Sequence, residues 1–431
     1  MEYLMKKSIR KFVMAMFVVP CLAISANAQG FDWPQWRGPD RDGVCKETGL
    51  MKSWPMEGPP VAWKAADIGG GYSTPSVAKG KVFGMSYQGE NETVWALDEK
   101  NGKKLWETNI GQKGKVGYNE GSRCTPTVDG DSLYVVGVSG DIAALNINTG
   151  KVLWAKNFAK DFKGKMMSGW GFSESPLVDG DKVLFTPGGD LSAMVALNKK
   201  TGATIWSTKV ENGGGAGYAS IVKGKAGGVD QYITWLGKCI IGVDAKSGNL
   251  LWRYSANANG TANIPTPIVK DDYVFCSTGY GSGTSLIKLN KNASGFEAKE
   301  VFYLNGKKTD IQNHHGGMVL LGDKVFMGTG HNNGIPCCLD MMTGDVVWKE
   351  ENRPGKRSAA IVYADGMLYF RNEDGIMNLL EASPKGYKLV SSFKLPEASG
   401  KPSWPHPVIA NGRLLIRDQG KLIAFSIKQA Q

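Results

Sequence analysis

One short phrase, ending in an aromatic residue, recurs along this chain and constrains the fold more than any other feature. The aromatic falls at Trp63, Trp106, Trp154, Trp206, Trp252, Phe302, Trp348 and Phe393, at spacings of 43 to 52 residues. The clearest copy runs Thr125-Pro126-Thr127-Val128-Asp129-Gly130-Asp131, then Leu133 to Val136, then Ile142 to Asn146, then Thr149-Gly150-Lys151-Val152-Leu153-Trp154. Each apolar run is short, rich in β-branched residues and bounded by turn chemistry, which is the signature of a strand. Asp-Gly and Thr-Gly pairs supply the positive φ that tight antiparallel turns require. Four strands within a period of about 40–50 residues make a propeller blade. Eight aromatics imply eight blades.

The two ends of the pattern complement each other. Trp63 sits in a lone apolar run with no three strands before it, and the last copy, 407–427, has three runs but no closing aromatic. The expected fold is therefore all-β: an eight-bladed propeller of four-stranded antiparallel blades, with the strand at 61–66 completing the last blade and leaving no blade open to edge pairing. Residues 29–431 form this one domain, 29–60 being an N-terminal extension. The repeated aromatics themselves read as packing between blades, since a regular outer-strand position is a structural one and function is argued from sites.

Residues 1–28 read as a signal peptide. Lys6, Lys7, Arg10 and Lys11 precede an apolar stretch from Phe12 to Ile24, too short to span a bilayer, and Ala26-Asn27-Ala28 offers a small-x-small cleavage site. Cys21 follows Val18-Val19-Pro20 and lacks the small residues that precede a lipidated cysteine. A periplasmic or secreted protein is expected. The formal charge of +11 falls to +8 without residues 1–28, and its basic residues are scattered, so no nucleic-acid partner is indicated. The remaining cysteines (Cys45, Cys124, Cys239, Cys276, Cys337 and Cys338) are too sparse to organise the fold, and neither a Cys-x-x-Cys-His haem motif nor a zinc spacing occurs.

The phrase Ala-Leu-Asn-x-x-Thr-Gly-x-x-x-Trp, as it stands in the copies ending at Trp154 and Trp206, resembles the repeat of the pyrroloquinoline-quinone (PQQ) enzyme propellers. That superfamily holds quinoprotein alcohol dehydrogenases and the outer-membrane assembly factor BamB. The copies ending at Phe302 and Phe393 lack the Thr-Gly…Trp signature. The segments Trp33-Pro34-Gln35-Trp36-Arg37-Gly38-Pro39 and Asn313-His314-His315-Gly316-Gly317 look like those of a branch of exported PQQ-like propellers. The resemblance to dehydrogenases implies PQQ over a calcium ion, beside a vicinal disulfide. Here the adjacent Cys337 and Cys338 fall inside the expected third strand of blade six, 335–340, where a pair of free, buried cysteines is expected instead.

In such a blade, the loops before strand one and between strands two and three share one face. Long glycine-rich loops gather there, at 109–123, 158–174, 256–265, 305–317 and 396–407, and long loops on a rigid scaffold are where binding resides. All four histidines fall on this face: His314, His315, His331 and His406. Beside them, at blade starts, stand Glu120, Arg123, Trp170, Glu174, Tyr218, Asn263, Arg357 and Trp404. Cations for carboxylates and aromatic walls for a ring make a polar-ligand funnel. Adjacent strand residues point to opposite faces, so only one of His314 and His315 is expected to face the channel if both are in the strand, and no metal site is assigned.

Three functions stay open. The first is a non-catalytic propeller, a monomer, binding a protein or polysaccharide partner through its loop face and funnel as BamB does. The second is a PQQ-dependent oxidoreductase with the cofactor and calcium in the funnel and Glu174 or His315 as the candidate catalytic group. The third is a lyase or hydrolase of acidic polysaccharide.

Overall fold

Each phrase folds locally before it packs. Asn146 Oδ1 accepts hydrogen bonds from the backbone N–H groups of Asn148 (3.0 Å) and Thr149 (3.1 Å), and Asn198 does the same for Lys200 and Thr201. Asp98, Asp244 and Asp340 repeat this turn. The glycine that follows Thr149, Gly150, takes φ +71°, which a residue without a Cβ adopts at no steric penalty.

The computed structural model describes residues 30–293 and 295–429; the candidate leader, 1–28, lies outside them. Eight blades follow. Blade 1 comprises Ser76–Ala78, Lys81–Gln88, Asn91–Asp98 and Lys104–Gln112 in antiparallel order. Blades 2 to 7 repeat it, with innermost strands Thr127–Asp129, Leu177–Asp179, Val222–Ala226, Ile268–Lys270, Met318–Leu321 and Ala359–Ala364. Blade 8 takes Val408–Ala410, Arg413–Asp418 and Lys421–Ser426 from one end of the chain and its outer strand, Val61–Ala65, from the other. Among the described residues no helix is long and apolar enough to cross a membrane.

The expected aromatics all sit on outer strands, and each packs on the next blade. Trp63, Trp106, Trp154 and Trp206 cover Gly102, Gly150, Gly202 and Gly248, so closely that any Cβ there would meet the indole. Three of these N–H groups are used in the same contact: Trp63 Nε1 donates to Glu99 O (2.8 Å), Trp106 to Ile147 O (3.0 Å) and Trp154 to Lys199 O (3.0 Å). At these three seams one residue supplies both the apolar area and the hydrogen bond, whereas Trp252 Nε1 donates to Gln231 Oε1 of its own blade (2.7 Å).

At the inner end, hydroxyls stitch the ring. Ser175 Oγ accepts from Thr125 N (3.0 Å), Ser220 Oγ from Ser175 N (2.9 Å) and Thr74 Oγ1 from His406 N (2.9 Å). The Ser/Thr-Pro start of many copies is thus the channel's girdle.

The N-terminal extension is built into the ring. Residues 31–45 thread the channel. Trp33 bridges Val77 of blade 1, Pro34 O accepts from Val128 N of blade 2, and Arg41 donates to Ser175 O and Pro176 O at blade 3. Arg37 donates to Met318 O of blade 6, and Val44–Cys45 adds a fifth, parallel strand to the innermost strand of blade 7. Fully buried arginines bonded to carbonyls are a costly way to fill space, and here they satisfy the inner carbonyls of a ring that would otherwise stay open.

Candidate ligand funnel

On the long-loop face the channel widens into a cavity of about 580 Å³ to which all eight blades contribute. Trp36, from the threaded segment, forms its floor. Its Nε1 donates to Thr266 Oγ1 (2.9 Å) and its ring lies 4.5 Å from that of His406. The walls are aromatic plates: Trp170 against Tyr280 (6.3 Å, 24°), Tyr72 against Trp404 (4.4 Å, 25°) and His315 against Trp404 (4.5 Å, 23°). Several wall residues hold strained backbone. Tyr118, Tyr280 and Arg357 take φ of +50°, +58° and +64°, conformations that bulky side chains adopt only where their surroundings enforce them.

Two cations face this space. Arg123 donates to the carbonyls of Gly117, Tyr118 and Gly121, lies over the Tyr72 ring at 5.5 Å, and makes no ion pair among the described residues. Arg357 is exposed at the rim, 3.9 Å from Glu373. The histidines are neutral. Burial first, then the neighbouring His331 and His406, push His315 down to about 3, and burial with the Arg37 charge does the same to His406. His314 is pushed down further by burial beside two other histidines. Its bonds have one consistent direction. Ser358 Oγ donates to Asn332 Oδ1 (3.1 Å) and so accepts from His314 Nδ1 (2.8 Å), leaving Nε2 to accept from Tyr280 O–H (3.0 Å).

Of the residues expected in the funnel, Arg123, Trp170, Tyr218, His314, His315, Arg357, Trp404 and His406 line it. Four do not. Glu120 accepts from Tyr72 O–H behind the wall. Asn263 is buried, its Nδ2 donating to Leu236 O (2.9 Å) and Gly237 O (3.0 Å). His331 accepts from Tyr280 N (3.4 Å) and packs on the Tyr280 ring. Glu174, a candidate base, points away between blades, where its Oε1 accepts from Thr186 N (2.5 Å) and burial raises it to about 7. Its neighbours Ser173 and Ser175 both line the cavity, and Glu174 between them is turned the other way.

His314 and His315 do not lie in the strand, so the alternation that would turn one of them from the channel does not apply. The innermost strand starts only at Met318, the chain bends at residues 315 and 316, and both rings line the cavity 3.5 Å apart. Among the described residues no three His, Cys, Asp or Glu side chains are placed to hold an ion. Cys337 and Cys338 lie in the strand Ile335–Asp340, buried and free. Sequence reasoning missed Trp36, Tyr72, Tyr280 and Glu373. Tyr280 alone carried a local signal, an aromatic between two glycines.

Fold and funnel together define a PQQ-repeat propeller with a ligand-sized cavity on its long-loop face. The family model described as outer membrane protein assembly factor BamB matches residues 57–168 and 90–350, and the chain belongs to that family. The BamB of Shewanella oneidensis is 31% identical over 159 residues, 34% of this chain and 36% of the relative. A quinoprotein ethanol dehydrogenase of Pseudomonas aeruginosa is 32% identical over 126 residues, 26% of this chain and 19% of the relative. Both matches span well under half of those proteins. The crystal structure of quinohemoprotein alcohol dehydrogenase from Comamonas testosteroni shares the fold, with a TM-score of 0.62 and 14% identity over 93% of this chain and 81% of that one.

Proposed function

We propose that this chain is an exported binding propeller whose function resides in the funnel, where it takes a small ring-bearing acid or the acidic end of a polymer. The observation that carries this reading is the cavity. Its volume of about 580 Å³ is that of a small-molecule site and its walls are aromatic plates. Arg123, free of any carboxylate partner among the described residues, and Arg357 provide for an anionic group. The leader-like start and the kinship with outer-membrane assembly factors support export.

A second reading is favoured by the likeness to quinoprotein ethanol dehydrogenases. The planar tricarboxylate PQQ fits the stacked walls and the two arginines. The calcium of that resemblance does not fit: no three-ligand donor group exists among the described residues, and Glu174 faces away from the cavity. The one carboxylate on the lining, Glu373, already faces Arg357. PQQ would bind here as a ligand, and no metal-assisted step is derived.

The test is a fluorescence titration of the purified protein with PQQ, with and without calcium, alongside acidic and neutral sugars, followed by a dye-linked alcohol oxidation assay. Quenching of funnel tryptophans by an acidic ring compound, independent of calcium and lost in Arg123→Met, is expected. Absence of binding by every acid tried refutes the funnel reading, and calcium-dependent dye reduction replaces it with the quinoprotein one.

A further inference from the structure

Six rings of the funnel touch one another in a closed circuit. Trp404 meets Tyr118 (centroids 5.1 Å apart), Tyr118 meets Trp170 (6.4 Å) and Trp170 meets Tyr280 (6.3 Å). Tyr280 then meets His314 (5.2 Å), His314 meets His315 (3.5 Å), and His315 returns to Trp404 (4.5 Å). These residues come in turn from the long loops of blades 8, 2, 3, 5 and 6 and back to 8, so the circuit runs once around the propeller axis. All six line the cavity. The funnel is thus girdled by one aromatic collar.

A closed circuit limits a width. Whatever its outline, a loop with these steps has a narrower dimension of no more than roughly 10 Å between centroids, and the thickness of the facing rings leaves a free opening of about 6–7 Å. An α-helix with its side chains is about 10–12 Å across. A β-hairpin sets its two strands about 5 Å apart before any side chain is added. Neither passes. One extended strand or one six-membered ring does.

The opening is held from several sides. Tyr118 and Tyr280 keep φ of +50° and +58°. Trp170 lies against Gly117, where an added Cβ would stand 2.6 Å from Trp170 Cδ1. Gly117 N also donates to Gly169 O (3.0 Å), so backbone as well as rings ties the loops that carry Tyr118 and Trp170. Tyr280 O–H donates to His314 Nε2 (3.0 Å) between blades 5 and 6. Below, Trp36 and the threaded segment close the floor, so what enters by the collar stops there.

We propose that the collar is a width filter: the funnel admits a free ring acid or the unbranched end of an acidic chain, end first, and turns away helices, hairpins and branched chains. This rests on the funnel reading above and says which acids can reach the site.

The six cysteines among the described residues are all buried, so a thiol introduced into the funnel can be followed alone once Cys21 is replaced by serine. Ser173→Cys, between Trp170 of the collar and Ser175 of the inner girdle, reports entry, and Ile264→Cys, also on the lining, serves if it does not fold. Lys160→Cys, on exposed surface, calibrates each reagent. The probes are narrow thiosulfonates ending in a sulfonate or a trimethylammonium group, and a wide one bearing triphenylmethyl. Relative to Lys160→Cys, the wide reagent should label Ser173→Cys at least about 10-fold more slowly than the narrow sulfonate, because it must wait for ring contacts to part. Tyr118→Ala removes one ring of the collar at an exposed position and should bring the wide reagent's rate towards that of the narrow one. Equal labelling by wide and narrow reagents with the collar intact overturns the filter. So does exclusion of both, or a wide-reagent rate that Tyr118→Ala leaves unchanged. The charge comparison bears on the funnel reading by itself: the sulfonate should outpace the trimethylammonium, and by less in Arg123→Met. No preference between them removes the acid reading and leaves the width limit standing.

Discussion

Replacing Gly317 by alanine places a methyl group in the most crowded point between the threaded segment and the ring. The glycine has φ +69°, so alanine first carries the left-handed penalty of about 1–2 kcal/mol. The new Cβ would then overlap Arg37 Nη1. That guanidinium cannot swing aside freely, because its Nη2 donates to Asp42 O (2.7 Å) and Met318 O. Losing one charged hydrogen bond adds about 1.5–3 kcal/mol. Gly322→Ala is the internal reference: the same strand pair, φ +63°, and nothing within 4 Å of its Cβ, so it carries the conformational penalty alone. Unfolding entropy of about 2.1 cal/mol/K per residue over roughly 400 residues converts 1 kcal/mol into about 1 °C. By differential scanning calorimetry Gly317→Ala should therefore melt about 2–3 °C below Gly322→Ala, which itself lies 1–2 °C below wild type. Equal melting of the two variants would refute the tethering of Arg37, and with it the claim that the segment is locked in the channel.

Other outcomes follow from the same geometry. Trp63→Ala removes a buried indole, its bond to Glu99 O and the seam between blade 8 and blade 1, and should lower stability by about 3–5 kcal/mol, measured by urea unfolding. Burial raises both Glu92 and Glu174 to about 7. Their protonated forms are favoured in the folded state, so the stability they lend is present below the unfolded carboxylate range and is lost as pH rises towards 7. Glu92→Gln and Glu174→Gln should each flatten the fall in melting temperature between pH 5 and 8, and a profile identical to wild type would count against the assignment. Because His315 and His406 are held neutral, with values near 3, ligand affinity should be level between pH 5 and 8. A sigmoid centred near 6.5 in a calorimetric pH series would contradict that.

What could be read from sequence was what forms locally or repeats. The turn at Asn146 and Gly150 needs only its own five residues, and the Trp154 seam recurs often enough to be recognised as packing. The split last blade was legible because Trp63 lacked company and the last copy lacked an aromatic. Trp36 could not be placed, since its position depends on a segment crossing the channel to Thr266, 230 residues away. Glu174 was misplaced by one step of alternation: the blade start was right, but Ser175 took the channel side. The histidine pair eluded a strand-based argument because the chain bends before the strand begins.

The pairing of Val61–Ala65 with Lys421–Ser426 has a kinetic consequence. The outer strand of blade 8 is made early but finds its mate only when the last strands exist, so ring closure joins opposite ends of the chain. Such closure is entropically late. Departure from the native state involves the same region, since every blade is flanked on both sides until this junction, with the adjoining Leu50–Lys428 bridge and the Met51 N–Ile427 O bond, parts. Opening of the 61–65 strand would then be the gate to unfolding, and lifetime under protease challenge would follow the rate of that single event more than the summed stability of the blades.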